Sequence, residues 1–122
     1  MSASRKELGA WGESVAAEHL TAKGYEIVER NWRCQRGEID IIAWAGLQLV
    51  FVEVKTRRGR AMGSPEEALT KHKAQKITEL ATIYVSDLGR EVDWRIDLVA
   101  VELDRAGRLL RCDHIPNAVL GW

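Results

Sequence analysis

The sequence predicts an α/β domain in which a mixed central sheet lies between two helices. Two observations carry this reading. Apolar residues recur every three or four positions in two separate segments, near residues 6–23 and 64–87. Three β-rich stretches lie between those segments and two more follow the second, giving the order αβββαββ. That order asks for an antiparallel meander first, then a helical crossover to a later strand. At 122 residues, with 46% hydrophobic and 30% charged residues, the chain fits one ordinary domain over 1–122 with a real core.

Leu8, Trp11, Val15, Ala16 and Leu20 set the first helix over Lys6 to Lys23, and Gly24 follows where helices commonly stop. Tyr25 to Trp32 is the weakest of the extended segments. Gly37 to Trp44 and Leu47 to Arg57 are rich in β-branched and aromatic residues, with Ala45-Gly46 as the turn between them. Ser64-Pro65-Glu66-Glu67 reads as a helix start, with Ser64 as N-cap, Pro65 in the first helical position and Glu67 completing a capping box. The second helix is expected to run from there to about Asp87. Trp94 to Leu103 is a fourth strand, Ala106-Gly107 a turn, and Arg108 to Ile115 a fifth strand ended by Pro116.

No apolar run approaches the roughly 20 residues that a membrane helix needs. The polar stretch from Met1 to Lys6 has no apolar region behind it, so a cytoplasmic protein with no membrane partner is expected. Cys34 and Cys112 stand far apart without metal-ligand spacing and are expected to be reduced. His19, His72 and His114 form no ligand set. Net charge is zero, which counts against a strongly duplex-binding surface. Distribution matters more than the sum: Lys55, Arg57, Arg58 and Arg60 cluster, and Lys71, Lys73 and Lys76 follow soon after.

The chemistry concentrates in Leu47 to Arg57. Val50, Val52 and Val54 alternate with Phe51, Glu53 and Lys55, so the acid and the amine share one face of a central strand. Charges there are tolerated only when paired or bound to a metal. A structural ion pair would satisfy these two residues alone. Asp40 changes the balance, because a hairpin closed around Ala45-Gly46 puts it on the face of Glu53, opposite or diagonal. Such neighbours have Cβ atoms about 4.5–8 Å apart. Two carboxylates so placed repel unless a cation sits between them. With no His or Cys nearby, Mg²⁺ or Mn²⁺ is the expected ion. It would activate water and stabilise charge on a phosphoryl oxygen. Lys55 would hold or deprotonate the attacking water, or stabilise the transition state.

Asp40 followed by Glu53-Val54-Lys55 resembles the signature of the PD-(D/E)XK nuclease superfamily. The longer strings G-E-I-D-I-I-A, V-F-V-E-V-K-T-R and G-S-P-E-E-A, with G-A-W-G-E at Gly9 to Glu13 and R-I-D-L-V-A-V at Arg95 to Val101, resemble one family within it, UPF0102. That family is related in fold to archaeal Holliday-junction resolvases. The resemblance implies a restriction-endonuclease-like αβββαβ core, with Asp40 and Glu53 as metal ligands, the Val54 carbonyl as a third, and Lys55 as the catalytic lysine. Glu13 matches a helix acid that reaches the metal through water; as a bare residue it could equally be solvated. Ile39 stands where the superfamily name has Pro.

Leu69, Ile77, Leu80 and Tyr84 mark the apolar stripe of the second helix at about 100° per residue. Lys73 falls at its centre and Lys76 on its flank. Either they only carry their ammonium groups past the core, or one of them points into the site and meets phosphate. Arg57 to Gly63, with Arg57, Arg58 and Arg60, reads as a mobile strap over a nucleic-acid backbone or as an ordinary solvated loop. Arg95 and Asp97 are taken as a structural pair, and the five Trp as core or interface.

The leading expectation is a metal-dependent endonuclease hydrolysing phosphodiester bonds in DNA, with branched and single-stranded forms among the candidate substrates. The alternatives are a non-catalytic nucleic-acid-binding or assembly protein on the same fold, and an RNA-processing enzyme with the same centre. By analogy with the resolvases a homodimer is expected, with Ala118 to Trp122 as a candidate contact.

Overall fold

A computed structural model of the chain describes residues 4–119. Its elements are α1 (Arg5–Ala22), β1 (Glu26–Cys34), β2 (Gly37–Ala45), β3 (Gln48–Arg58), a one-turn 3₁₀ helix (Glu66–Ala68), α2 (Lys71–Leu88), β4 (Trp94–Leu103) and β5 (Leu109–Ile115). The five strands form one mixed sheet in chain order. β1, β2 and β3 are an antiparallel meander, β4 is parallel to β3 after the α2 crossover, and β5 returns antiparallel to β4. This is the predicted αβββαβ core with one further strand. Among the described residues no helix is long and apolar enough to cross a membrane.

The alternation in β3 and β4 divides the core into two layers. Val50, Val52, Val54, Val99 and Val101 pack under Ala16, Ala17 and Leu20 of α1. Leu49, Phe51, Ile96 and Leu98 pack under Ile77, Leu80 and Ala81 of α2. Burial on both faces is what a parallel pair at the centre of a sheet requires. Cys34 and Cys112 are free and lie on opposite edge strands.

Ser4 caps α1 by accepting the Glu7 N–H at 3.1 Å. The β2–β3 turn is Gly46-Leu47, one residue later than the sequence suggests. Gly46 takes φ +63°, the positive value that a two-residue hairpin turn needs at its first position. The register parity survives, because Ile41 faces Val52.

The start of the second helix differs from expectation. The Ser64–Glu67 capping box does form, with Glu67 N–H donating to Ser64 Oγ at 3.3 Å and Ser64 N–H donating to Glu67 Oε1 at 3.1 Å. It closes only the 3₁₀ turn. Leu69 leaves helical geometry at φ −86°, ψ 88° and is buried in the α2-side core. Thr70 then recaps the chain by accepting the Lys73 N–H at 3.2 Å. Burying Leu69 outweighs continuing the helix. The restart places Lys73 in the first turn of α2, where it is exposed.

Residues 120–122 of the suggested C-terminal contact lie outside the described residues. Ala118 and Val119 pack against the α2-side core, and Ala118 N–H donates to the Ile96 carbonyl at 2.9 Å.

Candidate metal centre and its surroundings

The centre lies where β2 and β3 separate. Their ladder runs from Ala45↔Gln48 to Ile41↔Val52, and the next rung would be Asp40 and Glu53. Beyond it the Val54 N–H, instead of continuing the ladder, donates to Asp40 Oδ2 at 2.8 Å. Ile39 packs in the α2-side core although Ile41 packs in the α1-side core, so the strand turns between them. The Asp40 side chain therefore replaces a ladder bond and opens the edge at which it sits.

Glu53 and Lys55 follow Phe51 on one face of β3. Lys55 Nζ lies 3.2 Å from Glu53 Oε1, with side-chain exposures of 18% and 17%. Among the described residues this is the only ion pair made by Asp40 or Glu53. The Asp40 carboxyl is pushed up to about 8, first by burial and then by the adjacent Glu53 charge, against the lowering effect of the Val54 N–H. Glu13 is raised as well: burial leads, Arg30 and Asn31 oppose it, and the charges of Glu38 and Glu53 add to it. Glu13 Oε1 is buried without a hydrogen-bond partner. Three acids from α1, β2 and β3 thus lie in one another's fields.

Among the described residues no three Asp, Glu, His or Cys side chains already converge on one ligating point. The donors present fit a hard cation differently. Asp40 and Glu53 would ligate directly, the Val54 carbonyl would be a backbone ligand, and Glu13 would act through water. The unpartnered Glu13 oxygen and the crowded Asp40–Glu53 pair both favour that fit.

The basic residues separate into two groups. The Lys73 ammonium meets that of Lys55, and the Lys55 charge and contact hold it below the usual lysine range, helped by burial and Arg57 and opposed by Glu53. Arg57 sits beside them, with Nε buried and unpartnered and Nη1 donating to the Thr56 carbonyl at 3.2 Å. Lys55, Arg57 and Lys73 form a cationic group next to the carboxylates. The rest are committed elsewhere. Lys76 pairs with Glu79 at 3.9 Å, its stem over Gly37 at the β1–β2 turn. Arg58 donates from Nε and Nη2 to the Arg105 carbonyl at 3.0 and 2.8 Å. Arg60 grips the buried Glu102 with Nε and Nη2. The strap over Arg57 to Gly63 is therefore pinned to the β4–β5 hairpin.

Sequence reading missed the partners that pin it. Glu102 also accepts from Arg111 Nε at 2.8 Å, and Arg111 holds Glu66 at 2.7 Å and Asp113 at 2.8 Å. It also missed His114, which is buried against Asp97. It had no account of the two glycines in the Gly9 to Glu13 segment. Gly12 is close packing, since a Cβ there would lie 1.9 Å from Thr56 Oγ1. Gly12→Ala is expected to destabilise the fold by about 1–3 kcal/mol through overpacking. Adding Thr56→Ala should recover part of that loss in a double-mutant cycle measured by denaturant unfolding; strict additivity would remove the contact from the explanation.

Beside the centre, on the α1 side, lies a cavity of about 460 Å³ lined by Leu8, Gly9, Glu13, Lys55, Arg58 and Met62 among others. A larger open groove of about 990 Å³ sits by the Gly46-Leu47 turn and α2's C-terminal end, and holds none of the candidate residues.

The family model described as "Uncharacterised protein family UPF0102" matches residues 12–101 of the chain. A UPF0102 protein of Roseiflexus castenholzii is 44% identical over 121 residues, covering 98% of each chain. One from Symbiobacterium thermophilum is 52% identical over 114 residues, covering 93% of this chain and 96% of its own. A Rhodococcus jostii member is 48% identical over 114 residues, with 91% and 94% covered.

Proposed function

The chain belongs to the UPF0102 family, and we propose that it is a Mg²⁺- or Mn²⁺-dependent endonuclease of PD-(D/E)XK type that hydrolyses phosphodiester bonds in DNA. One observation carries the reading: Asp40 and Glu53 crowd together at an opened strand edge with Lys55 Nζ 3.2 Å from Glu53. A fold that needed only stability would not place two half-buried acids so. Repulsion between them is relieved by a proton or by a cation, and the cation makes the arrangement useful.

A bound divalent ion supplies Lewis acidity at the phosphoryl group. The chain's own residues do the rest. Asp40 and Glu53 hold one end of the site at fixed separation, because both are built on paired strands. Lys55, held by Glu53, is placed to orient the attacking water and to meet charge developing on the phosphorus oxygens. Water adds across one P–O bond, whose bridging oxygen leaves with a proton. Arg57 and Lys73 meet the flanking phosphates, contacts that position the strand without reading its sequence.

Purified protein incubated with branched, flapped and linear DNA, with Mg²⁺, Mn²⁺ or chelator, tests this. Metal-dependent cleavage lost in Glu53→Gln supports it; cleavage unchanged in that variant would assign the activity to a contaminant. Lys73→Met is expected to weaken DNA binding and reduce the slope of log affinity against log salt by about one phosphate contact. An unaltered slope would leave Lys73 outside the interface. Zero net charge and the internal engagement of Arg58 and Arg60 favour weak binding by the free chain. The same observations support a non-catalytic binding protein as the second reading, and selective DNA binding without cleavage would establish it.

A further inference from the structure

Gly9 and Gly12 stand one turn apart in α1 for different reasons. Gly12 makes room for Thr56. Gly9 has nothing within 4 Å of the point where a Cβ would sit, and its backbone is helical. A glycine inside a helix is unfavourable relative to alanine, and packing gives no reason for this one. What its missing side chain leaves open is the cavity beside the carboxylates.

We propose that this cavity receives one unpaired nucleotide next to the scissile phosphodiester, so that the site takes DNA with a flapped, frayed or single-stranded nucleotide in preference to continuous duplex. The position of that phosphodiester rests on the nuclease reading above. Cavities of about 300–1,000 Å³ accept small-molecule-sized groups, and this one, at about 460 Å³, falls within that range. A base held in a duplex must first unpair and unstack to enter a concavity of this kind, whereas an unpaired one swings into it at the least cost.

The lining suits a base. Leu8 and Met62 give it apolar contact, and Met62 is 72% exposed, surface that a base would cover. Arg5 lines the same cavity. Glu13 and Lys55 line the cavity and also belong to the candidate centre, so an occupant abuts the reacting phosphate. Lys55 and Arg57 line the cavity as well and Lys73 meets Lys55, so the phosphates next to the occupant have cations beside them. A single strand crossing the opened edge thus has its base against Leu8, Gly9 and Met62 and its backbone beside Lys55, Arg57 and Lys73.

Gly9→Leu fills the cavity from a helical position with open space around it, so the fold is expected to hold and its thermal midpoint to stay level or rise. Fluorescence anisotropy without divalent ion would measure binding of single-stranded, flapped and fully paired oligonucleotides. The wild type is expected to favour the first two. Gly9→Leu should lose about tenfold on them, the scale of one base contact, with duplex affinity unchanged. Gly9→Ala should fall between, and Met62→Ala should weaken single-strand binding by removing apolar lining. Equal wild-type affinity for all three substrates, or unchanged single-strand affinity in a folded Gly9→Leu protein, overturns the proposal. Selective binding lost in Gly9→Leu, with no cleavage of any substrate, supports the pocket and removes the nuclease reading. Cleavage whose substrate preference ignores Gly9→Leu does the reverse.

Discussion

Asp40→Asn is expected to cut divalent-ion-dependent cleavage severely while making the metal-free protein more stable. Asparagine has the shape of the protonated carboxyl, and its oxygen can still accept the Val54 N–H. It carries no charge to oppose Glu53, so the folded state loses a repulsion created by burial. The same change removes the charge that a hard cation needs. Cleavage is expected to fall by about 100- to 1,000-fold, the range for losing one electrostatic partner of a reacting group. Scanning fluorimetry supplies the second half of the test. Mn²⁺ should raise the thermal midpoint of the wild type, because it binds only the folded state. The variant should start higher and respond little. Cleavage and Mn²⁺ stabilisation both retained in Asp40→Asn would sink the assignment of this residue as a ligand.

The juxtaposition of Asp40, Glu53 and Lys55 was legible in the sequence. Period-two alternation put Glu53 and Lys55 on one face of β3, and parity across the hairpin brought Asp40 to them; neither step needed coordinates. The turn shifted by one residue, yet the ladder kept its parity, so the conclusion stood. The apolar stripe of the second helix leaves Lys73 and Lys76 open between carrying their ammonium groups past the core and entering the site; in the fold Lys73 meets Lys55 and Lys76 pairs with Glu79.

Other features depend on distance in space that local pattern does not encode. Nothing near Arg60 announces Glu102, which lies 42 residues away and draws Arg60 and Arg111 around a buried charge. Read locally, Arg57 to Gly63 is a basic loop; in the fold, Arg58 and Arg60 fasten it and only Arg57 remains with a buried, unpartnered nitrogen. The second helix shows the limit of local rules more sharply. Its capping box is real, but Leu69 is drawn into the core two residues later and the helix must start again at Thr70.

The Arg95–Asp97 pair, read from sequence as structural, belongs to a larger assembly whose loss should be the greatest single blow to stability. Asp97 has no exposure. It accepts from Arg95 Nε at 2.9 Å, from the Asn117 N–H at 3.0 Å, and from His114 Nε2 at 2.7 Å. Lys23 Nζ stands 3.1 Å from His114 Nδ1, so Nδ1 is the acceptor and Nε2 carries the proton given to Asp97. Arg95 also donates to Gln48 and Tyr25 at 2.6 Å. The cluster ties the α1–β1 connection to β3, β4 and β5 on the α1 side. Asp97→Ala leaves a largely buried guanidinium without its anion, and is expected to cost about 3–5 kcal/mol, a fall in thermal midpoint on the order of 10 °C. Asp97→Asn separates charge from shape. Burial pushes the Asp97 carboxyl up, but the hydrogen bonds from His114, Arg95 and Asn117 together hold it below the usual value. The ionised group therefore contributes its full stability above the unfolded pKa, near 3.8, and loses it as pH falls through the lower folded value. The stability gap between wild type and Asp97→Asn should be widest at neutral pH and should narrow below about pH 4. Urea unfolding at pH 7, 5 and 3 would measure it, and a gap independent of pH would mean that shape, not charge, holds this corner of the fold.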